Sequence, residues 1–269
     1  MFEAATLTDK EFSQFQHFIY EAAGITLPST KKPLVSGRLA KRLKARGLGS
    51  YGDYFALLSS GKAADEVQTA IDLLTTNETY FFREMQHFDL LRELARQARG
   101  RSEEFRVWSA ASSTGEEAFS VAMVLADTLG MGAWSVLGTD ISTRVLQAAE
   151  HAHYPMDRAR HVPPDYLKRF CLRGVGPQEG TLLINRSLRP RVQFRHANLN
   201  AALPDLGRFD VVFLRNVMIY FNDDTKRQVV ARVASALRPG GHFFIGHSES
   251  LNGINAGLAM TAPSIYRKP

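Results

Sequence analysis

The sequence predicts an α/β protein: a doubly wound, mostly parallel sheet, with an all-α N-terminal domain and a small inserted antiparallel β-subdomain. Three observations carry this. The first 75 residues show helical spacing and no strand signal. From residue 84 onward, strand and helix patterns alternate, which is the grammar of a parallel sheet covered by helices. A glycine-rich turn at 174–180, flanked by short strand patterns, interrupts that alternation.

The first region reads as four helices. Thr8 and Glu11 have capping-box spacing, and Gly24 is the expected stop of that helix. A second helix ends at Gly47. Ser50 caps a third that ends near Gly61, and a fourth covers about 63–75. Along the second helix, Val35, Leu39 and Leu43 repeat at i, i+4, i+8 on one face. Arg38, Arg42 and Arg46 repeat the same spacing on another, with Lys41 beside them. No acidic residue lies between Glu21 and Asp53. The cationic stripe reads either as a solvated face or as a docking surface for an acidic partner. Like charges at this spacing cost roughly 0.2–0.5 kcal/mol per pair, which favours the docking reading.

A helix over about 84–98 opens the alternating region. Strands follow at 105–109, 134–139, 209–214 and 242–245, with helices at 115–129, from 142, and at 224–238. Short strands at 181–184 and 192–194 mark the β-subdomain, placed at about 165–195. The expected organisation is a helical domain over 1–75, an interdomain segment over 76–90 and the α/β domain over 91–269.

Composition bounds the function classes. The 269 residues are 45% hydrophobic and 22% charged, an ordinary globular balance that excludes general disorder. Cys171 is the single cysteine, so no intrachain disulfide forms. The N-terminus carries Glu3, Asp9 and Glu11 without a long apolar run, which argues against a secretory signal. The most apolar stretch, 209–221, is too short to span a bilayer and is broken by Asp210, Arg215 and Asn216. A cytoplasmic protein without membrane insertion is expected.

Several motifs fail. Gly246-His247-Ser248-Glu249-Ser250 resembles a nucleophile elbow, yet no Asp, Glu or His follows Glu249 to complete a triad. There is no phosphate-binding GxxxxGK[ST] loop, and the histidines show no metal-ligand spacing. No metal is expected.

One motif holds. The first strand runs into Ser109-Ala110-Ala111-Ser112-Ser113-Thr114-Gly115-Glu116-Glu117, a small-residue turn entering a helix. Such a turn lets a ligand approach the backbone. Asp140 ends the next strand, 25 positions after Gly115, where an acid accepts ribose hydroxyls or caps the following helix. Glu116 and Glu117 would repel a pyrophosphate but suit a cationic sulfonium. This argues S-adenosylmethionine over a dinucleotide.

At these residues the chain resembles the CheR-type chemoreceptor glutamate O-methyltransferase family over essentially its whole length. The carrying segments are Thr75 to Glu84 (TTNETYFFRE), Val107 to Glu117 (VWSAASSTGEE) and Arg215 to Phe221 (RNVMIYF). Arg238-Pro239-Gly240-Gly241 and Gly246-His247-Ser248-Glu249 complete the pattern. The resemblance implies a class I S-adenosylmethionine-dependent methyltransferase domain. It implies esterification of glutamate side chains on chemoreceptor cytoplasmic helices, with S-adenosylhomocysteine as the other product. It assigns Asn77, Thr79 and Arg83 to cofactor contacts on the interdomain segment, and Glu117 and Asp140 to the methionine amine and the ribose. Asn198 and Leu199, with Arg215 and Asn216, would flank the adenine and the methyl-transfer site. Arg83 and Tyr220 would be catalytic. As partners it implies the receptor helices, through the basic helix near Arg38, Lys41, Arg42 and Arg46. A receptor C-terminal peptide is a further partner at the β-subdomain, where the loop runs from Arg173 through Gly174, Val175, Gly176 and Pro177 to Gly180.

The rival readings are a nucleic-acid methyltransferase, with the cationic helix on phosphate, and a non-catalytic module keeping the cofactor fold. The chain lacks an Asn/Asp-Pro-Pro-aromatic tetrapeptide of the kind used for base amines, and Arg215-Asn216 stands at that strand end. No nucleic-acid partner is expected.

Overall fold

The computed structural model describes residues 5–130, 132–254 and 256–269, so Glu3 lies outside the described residues. The chain forms two compact units. One comprises the chain up to Thr76 together with Tyr220–Thr225; the other comprises Asn77–Ile219 and Lys226–Pro269.

In the helical unit, α1 (Asp9–Ala23) starts at a full capping box. Thr8 Oγ1 accepts the Glu11 N–H at 3.2 Å, and Glu11 Oε2 accepts the Thr8 N–H at 2.8 Å. Gly24 closes the helix at φ 71°. α2 (Lys32–Arg46), α3 (Tyr51–Ser59) and α4 (Ala64–Leu74) follow. Phe15, Ile19, Val35, Leu39, Tyr54, Ala70 and Leu74 form the core of this unit, one apolar face from each helix. The returning segment joins it by an Ile25–Phe221 bridge and a 2.8 Å bond from the Thr26 N–H to the Tyr220 carbonyl.

The cationic stripe of α2 is neither bare nor simply solvated. Glu66, on α4 and 1% exposed, accepts Arg42 Nε at 2.8 Å, Arg42 Nη2 at 2.6 Å and Arg46 Nε at 2.7 Å. The Tyr54 hydroxyl donates to its Oε1 at 2.8 Å. Arg38 Nη1 donates to the Leu74 and Thr75 carbonyls, at 3.1 and 2.9 Å, and so closes the end of α4. The acid-free window ended at Asp53, and the acid that organises the stripe lies beyond it. Lys41 and Lys44 remain exposed on the same helix.

The α/β unit holds a seven-stranded sheet. Its strands are β1 (Phe105–Ser109), β2 (Trp134–Asp140), β6 (Val192–His196), β7 (Phe209–Leu214), β8 (Leu237–Ile245), β9 (Ala259–Ala262) and β10 (Ile265–Arg267). They lie in the order β6-β2-β1-β7-β8-β10-β9. All pairs from β6 to β8 are parallel, and β10 runs antiparallel to β8 and β9. β7 is buried along its whole length, as a central parallel strand must be. Its one acid, Asp210, accepts the Arg106 N–H at 2.8 Å and Arg238 Nη1 at 2.9 Å. Helices α5 (Gln86–Gln97) and α6 (Glu116–Leu129) contribute Phe88, Leu91, Phe119 and Val124 to the core of Val107, Val211, Phe213 and Phe244. α7 (Thr143–His151) and α9 (Asp223–Ser235) complete the alternation.

The small sheet has the order β3-β5-β4, from β3 (His153–Pro155), β4 (Cys171–Arg173) and β5 (Thr181–Ile184), with α8 (Pro164–Phe170) between β3 and β4. Here the structure differs from the sequence expectation. Residues 192–194 belong to β6 of the large sheet, paired parallel with β2, and Thr181–Ile184 is instead flanked by two strands the sequence did not indicate, His153–Pro155 and Cys171–Arg173. A three-residue strand pattern carries no information about its partner. β8 also starts earlier than expected, at Leu237, with a register irregularity opposite Phe209/Val211. β9 and β10 were not legible in the sequence. Among the described residues no helix is long and apolar enough to cross a membrane.

Candidate active site

The chain order of the sheet reverses at β1, which has β2 on one side and β7 on the other. Ligands of such sheets sit at the carboxyl ends of the strands beside that reversal. The turn after β1 is tight: Ser113 has φ 48° and Gly115 φ 92°. A Cβ on Gly115 would lie 2.8 Å from that of Ala149, so only glycine fits.

Asp140, at the end of β2, knits this edge together. Its Oδ2 accepts the Ser113 N–H at 2.9 Å and its Oδ1 the Ser142 N–H at 3.0 Å. It is therefore not a simple side-chain cap of α7. Its carbonyl accepts the Ala197 N–H at 3.0 Å, which brings the Asn198–Leu199 turn alongside. Ser113 Oγ donates to the Asn77 carbonyl at 2.9 Å and fixes the start of the Asn77–Arg83 segment. The hydroxyls of Ser112 and Ser142 are buried without a hydrogen-bond partner among the described residues.

The two glutamates that open α6 part ways. Glu116 turns to Arg158, 2.9 Å away, and to the Thr114 hydroxyl at 2.5 Å. Glu117 accepts Ser109 Oγ at 2.6 Å and faces Arg215 Nη1 at 3.2 Å. Burial pushes the Glu117 carboxyl above the usual carboxylate range, against the pull of Arg215. So one carboxylate, not two, is presented at the strand ends.

Arg215 follows β7 and is buried against the rings of Phe88 and Phe213. Its Nη2 lies 3.2 Å from Glu84 Oε2 and also donates to the Arg83 carbonyl. Two carboxylates thus share one guanidinium. The next residue, Asn216, sits at φ 57°, and its N–H is held by Glu249 Oε2 at 2.8 Å. Glu249 also accepts the N–H groups of Met218 at 2.8 Å and Gly246 at 2.7 Å. Burial raises the Glu249 carboxyl, and these backbone donors oppose the rise. A Cβ on Gly246 would stand 2.5 Å from Asn216 Nδ2 and 2.9 Å from Glu249 Oε2, so a side chain there would displace the groups that hold this loop.

Arg83 is flanked by two non-glycine residues in the left-handed region, Phe82 at φ 55° and Glu84 at φ 59°. Such conformations persist where surrounding contacts impose them, and they concentrate at functional sites. Here the Phe82 N–H donates to Ser120 Oγ at 3.0 Å. The Arg83 guanidinium lies over the Tyr80 ring at 5.7 Å and donates to the Glu78 carbonyl at a long 3.3 Å. Thr79 is half-buried beside Tyr80.

Asn77, Thr79, Arg83, Glu117, Asp140, Asn198, Leu199, Arg215 and Asn216 thus all belong to the α/β unit, whereas Tyr220 belongs to the helical one. Sequence reasoning gave no role to Ser109, Ser113 and Glu84, named only as motif positions, which hold Glu117, Asp140 and Arg215. It treated Glu249 only as a motif position.

This geometry fits S-adenosylmethionine. A buried carboxylate at the start of α6 suits a cationic ligand, the Asp140 edge suits a ribose, and the unpartnered hydroxyls of Ser112 and Ser142 lie beside it. The fold and the site together define a class I S-adenosylmethionine-dependent methyltransferase. Residues 77–265 match the CheR methyltransferase SAM-binding domain, and residues 10–75 match the CheR methyltransferase all-alpha domain. The chain belongs to the CheR methyltransferase family. It is 42% identical over 269 residues to the chemotaxis protein methyltransferase of Escherichia coli K12, covering 99% of this chain and 93% of that one. It is 40% identical to the Salmonella typhimurium LT2 chemotaxis protein methyltransferase, with 99% and 92% covered. To chemotaxis protein methyltransferase 2 of Pseudomonas aeruginosa it is 42% identical, with 90% and 87% covered. Its activity is methyl transfer from S-adenosylmethionine in chemotaxis.

Proposed function

We propose that the methyl acceptor is a glutamate side chain on the cytoplasmic helices of a chemoreceptor, and that the product is its methyl ester. The observation that carries this is the Arg83 guanidinium, held by one long hydrogen bond beside a buried carboxylate–arginine cluster. S-adenosylmethionine supplies the electrophilic methyl group. A glutamate, with an ordinary pKa near 4.3, arrives as a carboxylate and needs no general base. The protein has only to orient it and keep water away. Arg83 holds one carboxylate oxygen and leaves the other to attack. Glu117 and Asp140 take the methionine amine and the ribose, and Asn77, Thr79, Asn198, Leu199, Arg215 and Asn216 complete the cofactor contacts.

The receptor docks on α2. Glu66 neutralises one of the cations it gathers, so Lys41, Lys44 and the exposed Arg46 leave that helix positive. The β-subdomain takes a receptor tail peptide, along an edge of its short sheet. Leu172 and Val175 are exposed there, beside a cavity of about 430 Å³ that Arg173 and Gly174 also line.

Methyl transfer to a chemoreceptor cytoplasmic fragment, followed by base-labile release of methanol, tests the reading. Base-stable label on the fragment, or faster transfer to tRNA or DNA, would overturn it.

A further inference from the structure

Next to Arg215 lies a side-chain cluster whose two histidines have no part in the proposed methyl transfer. Glu84, His87 on α5 and His247 after β8 each turn one donor atom inward, and these atoms all lie within 4.8 Å of one another. His87 Nδ1 is 3.5 Å, and His247 Nε2 3.7 Å, from Glu84 Oε2. Glu84 Oε1 is already engaged by the His247 N–H at 3.2 Å, whereas Oε2 has no hydrogen bond among the described residues.

His87 is the unusual member. Its side chain is 1% exposed, yet neither ring nitrogen has a hydrogen-bond partner among the described residues. Buried polar atoms are nearly always satisfied, so an orphaned imidazole asks for something between it and its neighbours. Phe244 lies against it at 5.2 Å and His247 stands edge-on at 5.1 Å, which fixes the ring facing Glu84.

We propose that Glu84, His87 and His247 form a three-ligand site for a divalent transition-metal ion of borderline softness, such as Co²⁺, Ni²⁺ or Zn²⁺. Two imidazoles and one carboxylate are the donor set these ions select over Mg²⁺ or Ca²⁺. Ligand bonds of about 2.1 Å place donors up to about 4 Å apart around one ion. The observed separations need only a small inward turn of His247, whose side chain is 45% exposed. Arg215 Nη2 shares Glu84 Oε2 at 3.2 Å, but Glu117 also faces that guanidinium, so the two carboxylates leave one negative charge over.

The test is titration of the chelator-treated full chain with Co²⁺, read by its visible absorption, and diffraction at the cobalt edge from soaked crystals. We expect one saturable equivalent and an anomalous peak between the three side chains. His247→Ala, at a half-exposed position, should weaken Co²⁺ at least about tenfold while the fold stays intact. His151→Ala with His153→Ala, a pair elsewhere on the chain, should leave the titration unchanged. An unchanged titration in folded His247→Ala, or density for a water without anomalous signal, would overturn the proposal.

Discussion

Glu249 Oε2 accepts the backbone N–H of Asn216 at 2.8 Å, so the loop after β8 sets the conformation of the loop after β7. Asn216 holds a left-handed φ that asparagine tolerates but does not prefer, and the same carboxylate binds Met218 and Gly246. Removing the acceptor leaves these three part-buried backbone donors without it. Loss of one bond to a charged acceptor is worth about 1.5–3 kcal/mol, or roughly 10- to 100-fold in affinity. Glu249→Ala should therefore bind S-adenosylhomocysteine more weakly by that factor. Calorimetry on a variant of unchanged circular dichroism checks it. Unchanged affinity would reduce Glu249 to a packing role.

Arg83→Ala should lower methyl transfer by roughly 100-fold or more, because orientation of the attacking carboxylate is lost. Folding should be retained, since the backbone at Arg83 is imposed by Phe82 and Glu84 rather than by the guanidinium. Single-turnover rates on a receptor fragment provide the measurement. Near-normal turnover would remove the orienting role.

Charge reversal should separate docking from folding on α2. Lys41→Glu with Lys44→Glu changes only exposed cations and should raise the Michaelis constant for receptor, with cofactor affinity unchanged. The effect should fade with salt, because exposed charges are screened beyond about 8 Å at physiological ionic strength. Arg42→Glu, by contrast, should destabilise the helical unit, because it faces buried Glu66. A receptor Michaelis constant indifferent to both salt and the lysine reversals would leave α2 a solvated face.

Acid should unfold the helical unit in a defined window. Hydrogen bonds from Arg42 hold the Glu66 carboxyl at about 2, against an ordinary 4.5. A depressed folded-state pKa stabilises above the unfolded value, and that contribution is lost as pH falls from about 4.5 to about 2. At 1.36 kcal/mol per unit, the full loss is roughly 3 kcal/mol. Stability of wild type and Glu66→Gln, measured by urea unfolding between pH 5 and 2, should converge as pH falls. Parallel curves would show that Glu66 is not the responsible group.

Gly174 is the most constrained position of the β-subdomain loop. A Cβ there would stand 1.9 Å from the Gln178 carbonyl oxygen. Gly174→Ala should therefore distort the loop and abolish binding of a receptor tail peptide, leaving S-adenosylhomocysteine binding intact. Titration calorimetry with the tail peptide decides. Full peptide affinity in this variant would remove the loop from the peptide site.

Periodicity, caps and turn residues are local, and the sequence by itself determined whatever depends on them. The α1 capping box, the stops at Gly24 and Gly47, the strand at 209–214 and the small-residue turn before Glu116 all follow from neighbours a few residues apart. Side-chain partners across long separations were decided by the tertiary structure alone. Glu66 reaches Arg42 over 24 residues, Arg215 meets Glu84 over more than a hundred, and Val192–His196 joins the large sheet because β2 offers it a parallel edge. Glu116 and Glu117 show the division most plainly. The sequence places two adjacent carboxylates at a helix start, but helix rotation turns each to a different side. Burial then pairs one with Arg158 and leaves the other facing Arg215.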